Sequence, residues 1–123
     1  MLLVGVDIIE IDRIKKAVNR NPRFCKRIYT DKEQDYCAAQ ANPYPSLAVR
    51  FAAKEAFRKL SPQLTSRIKF KDVEVDTITG GKPVLNLYGQ ARKNAESVGL
   101  KEIDISLSHS RQQAVAVVVA WTE

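Results

Sequence analysis

Two carboxylates in this chain fall against apolar surroundings. Asp7 closes the run Leu2-Leu-Val-Gly-Val6, and Glu55 lies inside Arg50-Phe-Ala-Ala-Lys-Glu-Ala-Phe-Arg-Lys59. At about 100° per residue the second segment is a helix. It lines Arg50, Lys54 and Arg58 along one stripe and leaves Glu55 beside Ala48, Phe51 and Ala52. A carboxylate in such company needs a cation, a hydrogen-bond donor or a proton, because an unpaired buried charge costs several kcal/mol. Two outlets are open: an i,i+4 ion pair with Lys59, worth about 0.2–0.5 kcal/mol, or coordination of a metal ion. Asp7 is equally two-sided. With Glu10 three positions on it has the spacing of a helix capping box, while Gly5 removes bulk near the strand end and leaves Asp7 open to a second oxygen ligand. Mg²⁺ takes one or two carboxylates plus waters and substrate phosphates, so Asp7 and Glu55 together are a sufficient protein contribution.

The other chemistry-bearing residues say less on their own. His109, the only histidine, sits at the tip of Ile105-Ser-Leu-Ser-His109-Ser, where a surface or capping role competes with catalysis and no Ser-His-Asp arrangement follows from spacing. Gly80-Gly81-Lys82-Pro83 could offer backbone N–H groups and a lysine to a phosphate, but it matches no phosphate-loop pattern, and Gly-Gly between strands already reads as a hairpin turn. Cys25 and Cys37 lack metal-ligand spacing and are read as reduced, structural thiols.

These residues must be positioned by a small fold. With 123 residues, 45% of them hydrophobic, the chain has apolar material for one core, so a single domain over residues 1–123 is expected. Leu2 to Val6 reads as a strand, and Ile11, Ile14 and Val18 as the helix after it, broken at Asn19 to Pro22. Phe24 to Ile28 reads as a short helix. Thr30 with Glu33 forms a capping box for a helix running to about Gln40. Asn42 to Pro45 reads as a loop, with Ser46 capping the longest helix, Leu47 to Leu60. Ile68 to Val75 and Val84 to Leu87 read as strands about a turn at Thr79 to Pro83. A helix to Val98, stopped at Gly99, precedes strands Glu102 to Ser108 and Ala114 to Trp121. Helices early and strands late predict an α+β fold, a small antiparallel sheet packed against a long helix.

Net charge is +6, and it is clustered. Arg13, Lys15, Lys16, Arg20, Arg23, Lys26 and Arg27 crowd near the N-terminus, with Arg50, Lys54, Arg58 and Lys59 in mid-chain, which predicts two anionic partners. The N-terminal run lacks a basic leader, and no stretch nears the roughly 18–20 apolar residues that cross a bilayer. A cytoplasmic protein without membrane insertion is expected.

Taken in order, GVDIIEIDRI, RFAAKEAFRK, the GGKP turn and SLSHS before an alternating apolar strand resemble the holo-acyl-carrier-protein synthase branch of the 4′-phosphopantetheinyl transferases, over nearly the whole chain. The resemblance implies one copy of that fold per chain, assembled as a homotrimer with coenzyme A between adjacent subunits. It implies Mg²⁺-dependent transfer of the phosphopantetheine arm of coenzyme A to a serine of an acidic acyl carrier protein, for fatty acid biosynthesis. By the same resemblance Asp7 and Glu55 are the metal ligands, and Glu55 and Lys59 the catalytic pair, Lys59 facing the coenzyme phosphates. Arg50 and His109 are placed near the ribose phosphate, and Gly81 and Pro83 near the adenine. Ser110 stands where some relatives carry Asp, and Ile9 where a two-fold branch has a third acid. The basic patch of Arg13, Arg20, Arg23 and Arg27, with Phe24 among it, is expected to dock the carrier.

Two other classes compete. A nucleic-acid-binding domain explains the arginines but not the carboxylates, and Phe24, Tyr29 and Tyr36 fit helix packing better than base stacking. A catalytically silent module that binds an acidic protein is separated from the enzyme by dependence on coenzyme A and Mg²⁺.

Overall fold

Alternation builds the centre of the molecule. Ala114, Ala116, Val118 and Ala120 point to one face of the last strand and are fully buried, the period of two that a strand with one packed face requires. The structure, a computed structural model, describes residues 1–77 and 81–123. Its elements run β1 (Leu2–Glu10), α1 (Ile11–Arg20), α2 (Phe24–Ile28), α3 (Asp31–Ala38), α4 (Pro43–Arg58), α5 (Pro62–Thr65), β2 (Val73–Thr77), β3 (Pro83–Leu87), α6 (Gly89–Ser97), β4 (Leu100–His109) and β5 (Gln113–Thr122). Strands β1, β5 and β4 form an antiparallel sheet in that order, and β2 pairs with β3 in a separate antiparallel hairpin. The expected α+β arrangement is what forms.

Helix α4 lies across the sheet on a face of alanines. Ala48, Ala52, Ala53 and Ala56 are fully buried, so the helix backbone approaches the strands closely. The tightest point is Gly5, where a Cβ would fall 2.0 Å from the Ala56 carbonyl oxygen. The role of Gly5 is therefore to admit the α4 backbone, not to clear space around the Asp7 carboxylate. Gly5→Ala forces β1 and α4 apart and is expected to cost about 1–3 kcal/mol in urea denaturation, the usual penalty for overpacking.

Several boundaries differ from expectation. Strand β1 runs on to Glu10 instead of stopping at Val6, because its whole length pairs with β5, from Leu2 opposite Trp121 to Glu10 opposite Gln113. Asp7 is thus mid-strand, opposite Ala116, and caps nothing; α1 begins after Glu10 with no side-chain cap. Helix α4 starts at Pro43, capped by Asn42, whose Oδ1 accepts from the Tyr44 N–H, and not at Ser46. Both prolines fit the first helical turn, where N–H groups have no partner to lose. Ile68 precedes the strand region, and Phe70–Asp72 is a 3₁₀ turn before β2. Of the expected turn at Thr79 to Pro83, Thr79 and Gly80 lie outside the described residues; Pro83 begins β3. The Thr30 and Glu33 capping box forms as expected, and Gly99 takes the left-handed conformation, φ 70°.

The stripe of Arg50, Lys54 and Arg58 is the largest correction. Arg50 and Lys54 are buried, 3% and 1% exposed, and only Arg58 faces solvent. Lys54 turns away from the sheet, towards α3 and β2. Its Nζ donates to the Phe70 carbonyl at 3.0 Å and to the Val73 carbonyl, and it lies 2.7 Å from Glu33 Oε1. Glu33 Oε2 accepts from the Val75 N–H at 3.0 Å. Burial pushes the Lys54 ammonium below its ordinary value, with Glu33 pulling it back.

Candidate active site

On β1 the residues facing α4 are Gly5, Asp7 and Ile9, and on α4 the residue just before Ala56 is Glu55. The close approach at Gly5 brings these two segments together. Asp7 and Glu55 line one cavity of about 340 Å³, with Ile8, Ile9, Arg13 and Phe51 among its walls. Both carboxylates are half-buried, their side chains 17% and 32% exposed.

Their partners are few. Asp7 Oδ1 is 3.0 Å from Lys59 Nζ, which also donates to the Val6 carbonyl at 3.0 Å. Glu55 meets only Arg58 within ion-pair range, Nε to Oε1 at 3.9 Å, and accepts no hydrogen bond among the described residues. The i,i+4 pair of Glu55 with Lys59 does not form, because Lys59, at the end of α4, reaches across to β1 instead. Most of the acceptor capacity of two carboxylates lining one cavity is thus left unfilled by the described residues.

That donor set has a defined chemistry. Among the described residues no group of three or more His, Cys, Asp and Glu could enclose a metal ion, which is unlike a structural zinc site. Two carboxylates facing an open cavity fit Mg²⁺, a hard cation that keeps waters and takes phosphate oxygens as further ligands. Ile9 contributes no oxygen. Lys59 is half-exposed, so its bridge to Asp7 is worth little, about 0–1 kcal/mol, and the ammonium can turn to another anion.

The remaining candidates lie apart. Arg50 is committed to the fold: its guanidinium donates to the Ser46 carbonyl at 3.2 Å and to Thr77 Oγ1 at 2.9 Å, and stacks over Tyr36 at 4.3 Å. It presents no charge to the cavity of Asp7 and Glu55. His109 is exposed at the end of β4, its Nδ1 3.2 Å from the Ser110 carbonyl. Gly81 is exposed, and Pro83 lines a different cavity with Asp104 and Trp121. Arg13 and Phe24 line the carboxylate cavity itself, while Arg20, Arg23 and Arg27 are exposed on α1, α2 and the turn between them. Phe51 and Ile8 were not singled out from the sequence; the RFAAKEAF run carried the signal for Phe51, and nothing local marked Ile8.

The model of the 4′-phosphopantetheinyl transferase superfamily matches residues 3–119. A holo-[acyl-carrier-protein] synthase of Natranaerobius thermophilus is 40% identical over 121 residues, 98% of this chain and 97% of that protein. The one from Dehalococcoides mccartyi strain CBDB1 is 46% identical over 121 residues, 98% of each. Among solved structures, an ACPS-CoA complex of Chronobacterium ammoniagenes superposes with a TM-score of 0.87 at 27% identity, over 100% of this chain and 98% of that one. A holo-[acyl-carrier-protein] synthase of Neisseria meningitidis gives 0.85 at 28% identity, over 98% of each. The chain belongs to the 4′-phosphopantetheinyl transferase superfamily, among its holo-[acyl-carrier-protein] synthases.

Proposed function

We propose that this protein transfers the 4′-phosphopantetheine arm of coenzyme A to a serine hydroxyl of an apo acyl carrier protein, for fatty acid biosynthesis in the cytoplasm, with Mg²⁺ held by Asp7 and Glu55. The observation that carries the reading is the pair of underused carboxylates in one cavity, with Lys59 on Asp7, in a chain of this family. The serine oxygen forms a bond to the arm-bearing phosphorus of coenzyme A, the bond from that phosphorus to the bridging oxygen breaks, and adenosine 3′,5′-bisphosphate leaves. Mg²⁺ held by Asp7 and Glu55 would supply positive charge against the pyrophosphate oxygens. Lys59 exchanges Asp7 for those phosphates and supplies fixed positive charge beside the leaving group. The serine proton passes to Glu55 or to a water it holds. His109, Gly81 and Pro83 contact the nucleotide end, and Arg13, Arg20, Arg23, Arg27 and Phe24 dock the carrier.

A homotrimer belongs to the same reading, and the outer face of the sheet supports it. Leu2, Val4, Val6 and Ile8 of β1 are each more than half exposed, and Trp121 of β5 is 41% exposed. The solvent face of an antiparallel sheet is normally polar, so a face this apolar calls for cover by other copies of the chain. Pro83 lies on the cavity at that face, away from Asp7 and Glu55. A cleft closed by a neighbouring copy would let both sets reach one coenzyme.

Intact mass of an apo acyl carrier protein, after incubation with this protein, coenzyme A and Mg²⁺, tests the reading. A gain of one arm, roughly 340 Da, that disappears with chelator is expected. No gain with any of several apo carriers would overturn it. Native mass of the same sample at three times 13.8 kDa is the outcome expected for the assembly.

A further inference from the structure

A second basic surface adjoins the carrier patch and shares Arg27 with it. Lys26 and Arg27 of α2, Arg58 at the end of α4, and Lys69 and Lys71 around the 3₁₀ turn line a groove of about 470 Å³ over Ile28 and Phe70. All five cations are exposed, and no carboxylate among the described residues lines the groove. Of these five cations, only Arg58 has a carboxylate within 4.0 Å among the described residues, Glu55 at 3.9 Å. Like charges gathered from separate segments repel one another in the free protein, and the cluster is relieved by an anionic partner.

The floor of this groove runs on to the reaction site. Phe70 stacks on Phe51 with centroids 5.7 Å apart, and Phe51 on Phe24 at 6.2 Å. Phe24 and Phe51 line the cavity of Asp7 and Glu55. Three partly buried rings therefore form one ridge, with carboxylates at one end and the basic groove at the other. Arg58 bridges the two, its guanidinium 4.1 Å over the Phe70 ring and its Nε towards Glu55.

We propose that this groove is a second docking site for the acidic carrier protein, holding carboxylates further along the ridge than Arg13, Arg20 and Arg23 can reach. The proposal rests on the transfer reading above. An apolar ridge rimmed by cations, four of the five with no carboxylate within 4.0 Å among the described residues, fits an acidic protein segment with an apolar face. It fits nucleic acid less well, because the rings are spent stacking on one another and offer no open face to bases.

Lys69→Glu/Lys71→Glu is the test, since neither residue touches the carboxylate cavity. The KM for apo carrier is expected to rise about tenfold and its salt dependence to weaken. The kcat at saturating carrier, the KM for coenzyme A and the melting temperature should hold. Lys93→Glu/Lys101→Glu makes the same charge change on α6 and β4 and should move the carrier KM by less than about twofold. An unchanged carrier KM in the groove variant, or an equal rise in both variants, would overturn the proposal. So would a rise in the KM for coenzyme A, which would give the groove to the coenzyme's phosphates. Binding of a short DNA duplex that outcompetes the carrier and is lost in the groove variant would assign it to nucleic acid. Failure of the unmodified protein to load any carrier overturns the transfer reading instead, and is seen before any variant is compared.

Discussion

Glu55→Gln is expected to lower the rate of arm transfer by about 10²- to 10³-fold, the range for losing one preorganised electrostatic group of an active site, and to leave the fold standing. The structural cost is small for a specific reason. Glu55 accepts no hydrogen bond among the described residues, and its nearest cation, Arg58, is 3.9 Å away with both side chains about a third exposed. Such a pair contributes about 0.3–0.5 kcal/mol at most. Gln keeps the shape and one acceptor oxygen but not the charge a divalent cation requires. A readout independent of turnover separates metal binding from general damage. Coenzyme A with Mg²⁺ at 100 times its dissociation constant stabilises the folded state by about 2.7 kcal/mol, and the corresponding shift in melting temperature should shrink in Glu55→Gln. Asp7→Asn should behave alike, with the 3.0 Å ion pair to Lys59 reduced to a hydrogen bond to a neutral amide oxygen. A variant that keeps full activity and the full metal-dependent shift removes Glu55 from the site.

The legible parts of this fold were those that short-range chemistry dictates. The Thr30 and Glu33 box, the left-handed stop at Gly99 and the alternating final strand each follow from a few neighbouring residues, and each is where it was expected. The pairing length of β1 was not legible, because it is set by β5, more than a hundred residues away, and not by the composition after Val6. Residues 42–45 read as a loop because two prolines stand among them, although the first turn of a helix accepts both.

The same division holds at the site. Asp7 and Glu55 were singled out by apolar company, which is a local signal, and the structure brings them into one cavity. The direction of Lys59 was not, since an i,i+4 partner and a partner on another strand are indistinguishable along the chain. The α4 stripe misleads for a deeper reason. Helical periodicity tells which residues share a face but not whether that face meets water, and here Arg50 and Lys54 point to α3 and β2. Glu33 was legible as a capping residue, while its second bond, to Lys54, depends on a segment twenty-one positions on.

That buried pair gives the largest expected loss of stability. Lys54→Met should cost about 3–5 kcal/mol in urea denaturation, the range for breaking a buried ion pair by removing one partner. Lys54 is 1% exposed and its ammonium has three partners: the Phe70 and Val73 carbonyls and Glu33. Met fills the space of the stem but leaves the Glu33 charge buried without its cation. Adding Glu33→Gln removes that stranded charge, so the double variant should recover about 1–3 kcal/mol relative to Lys54→Met. Recovery stops short of complete, because Glu33 also accepts from the Thr30 and Val75 N–H groups through its two different oxygens, and Gln has only one. If the double variant is no more stable than Lys54→Met, the loss comes from the carbonyls that Lys54 bridges, not from the stranded carboxylate. Either way the pair acts on the site through geometry. Lys54 and Glu55 are consecutive residues about 100° apart around α4, so what holds Lys54 against α3 and β2 also sets the rotation at which Glu55 enters the cavity it shares with Asp7.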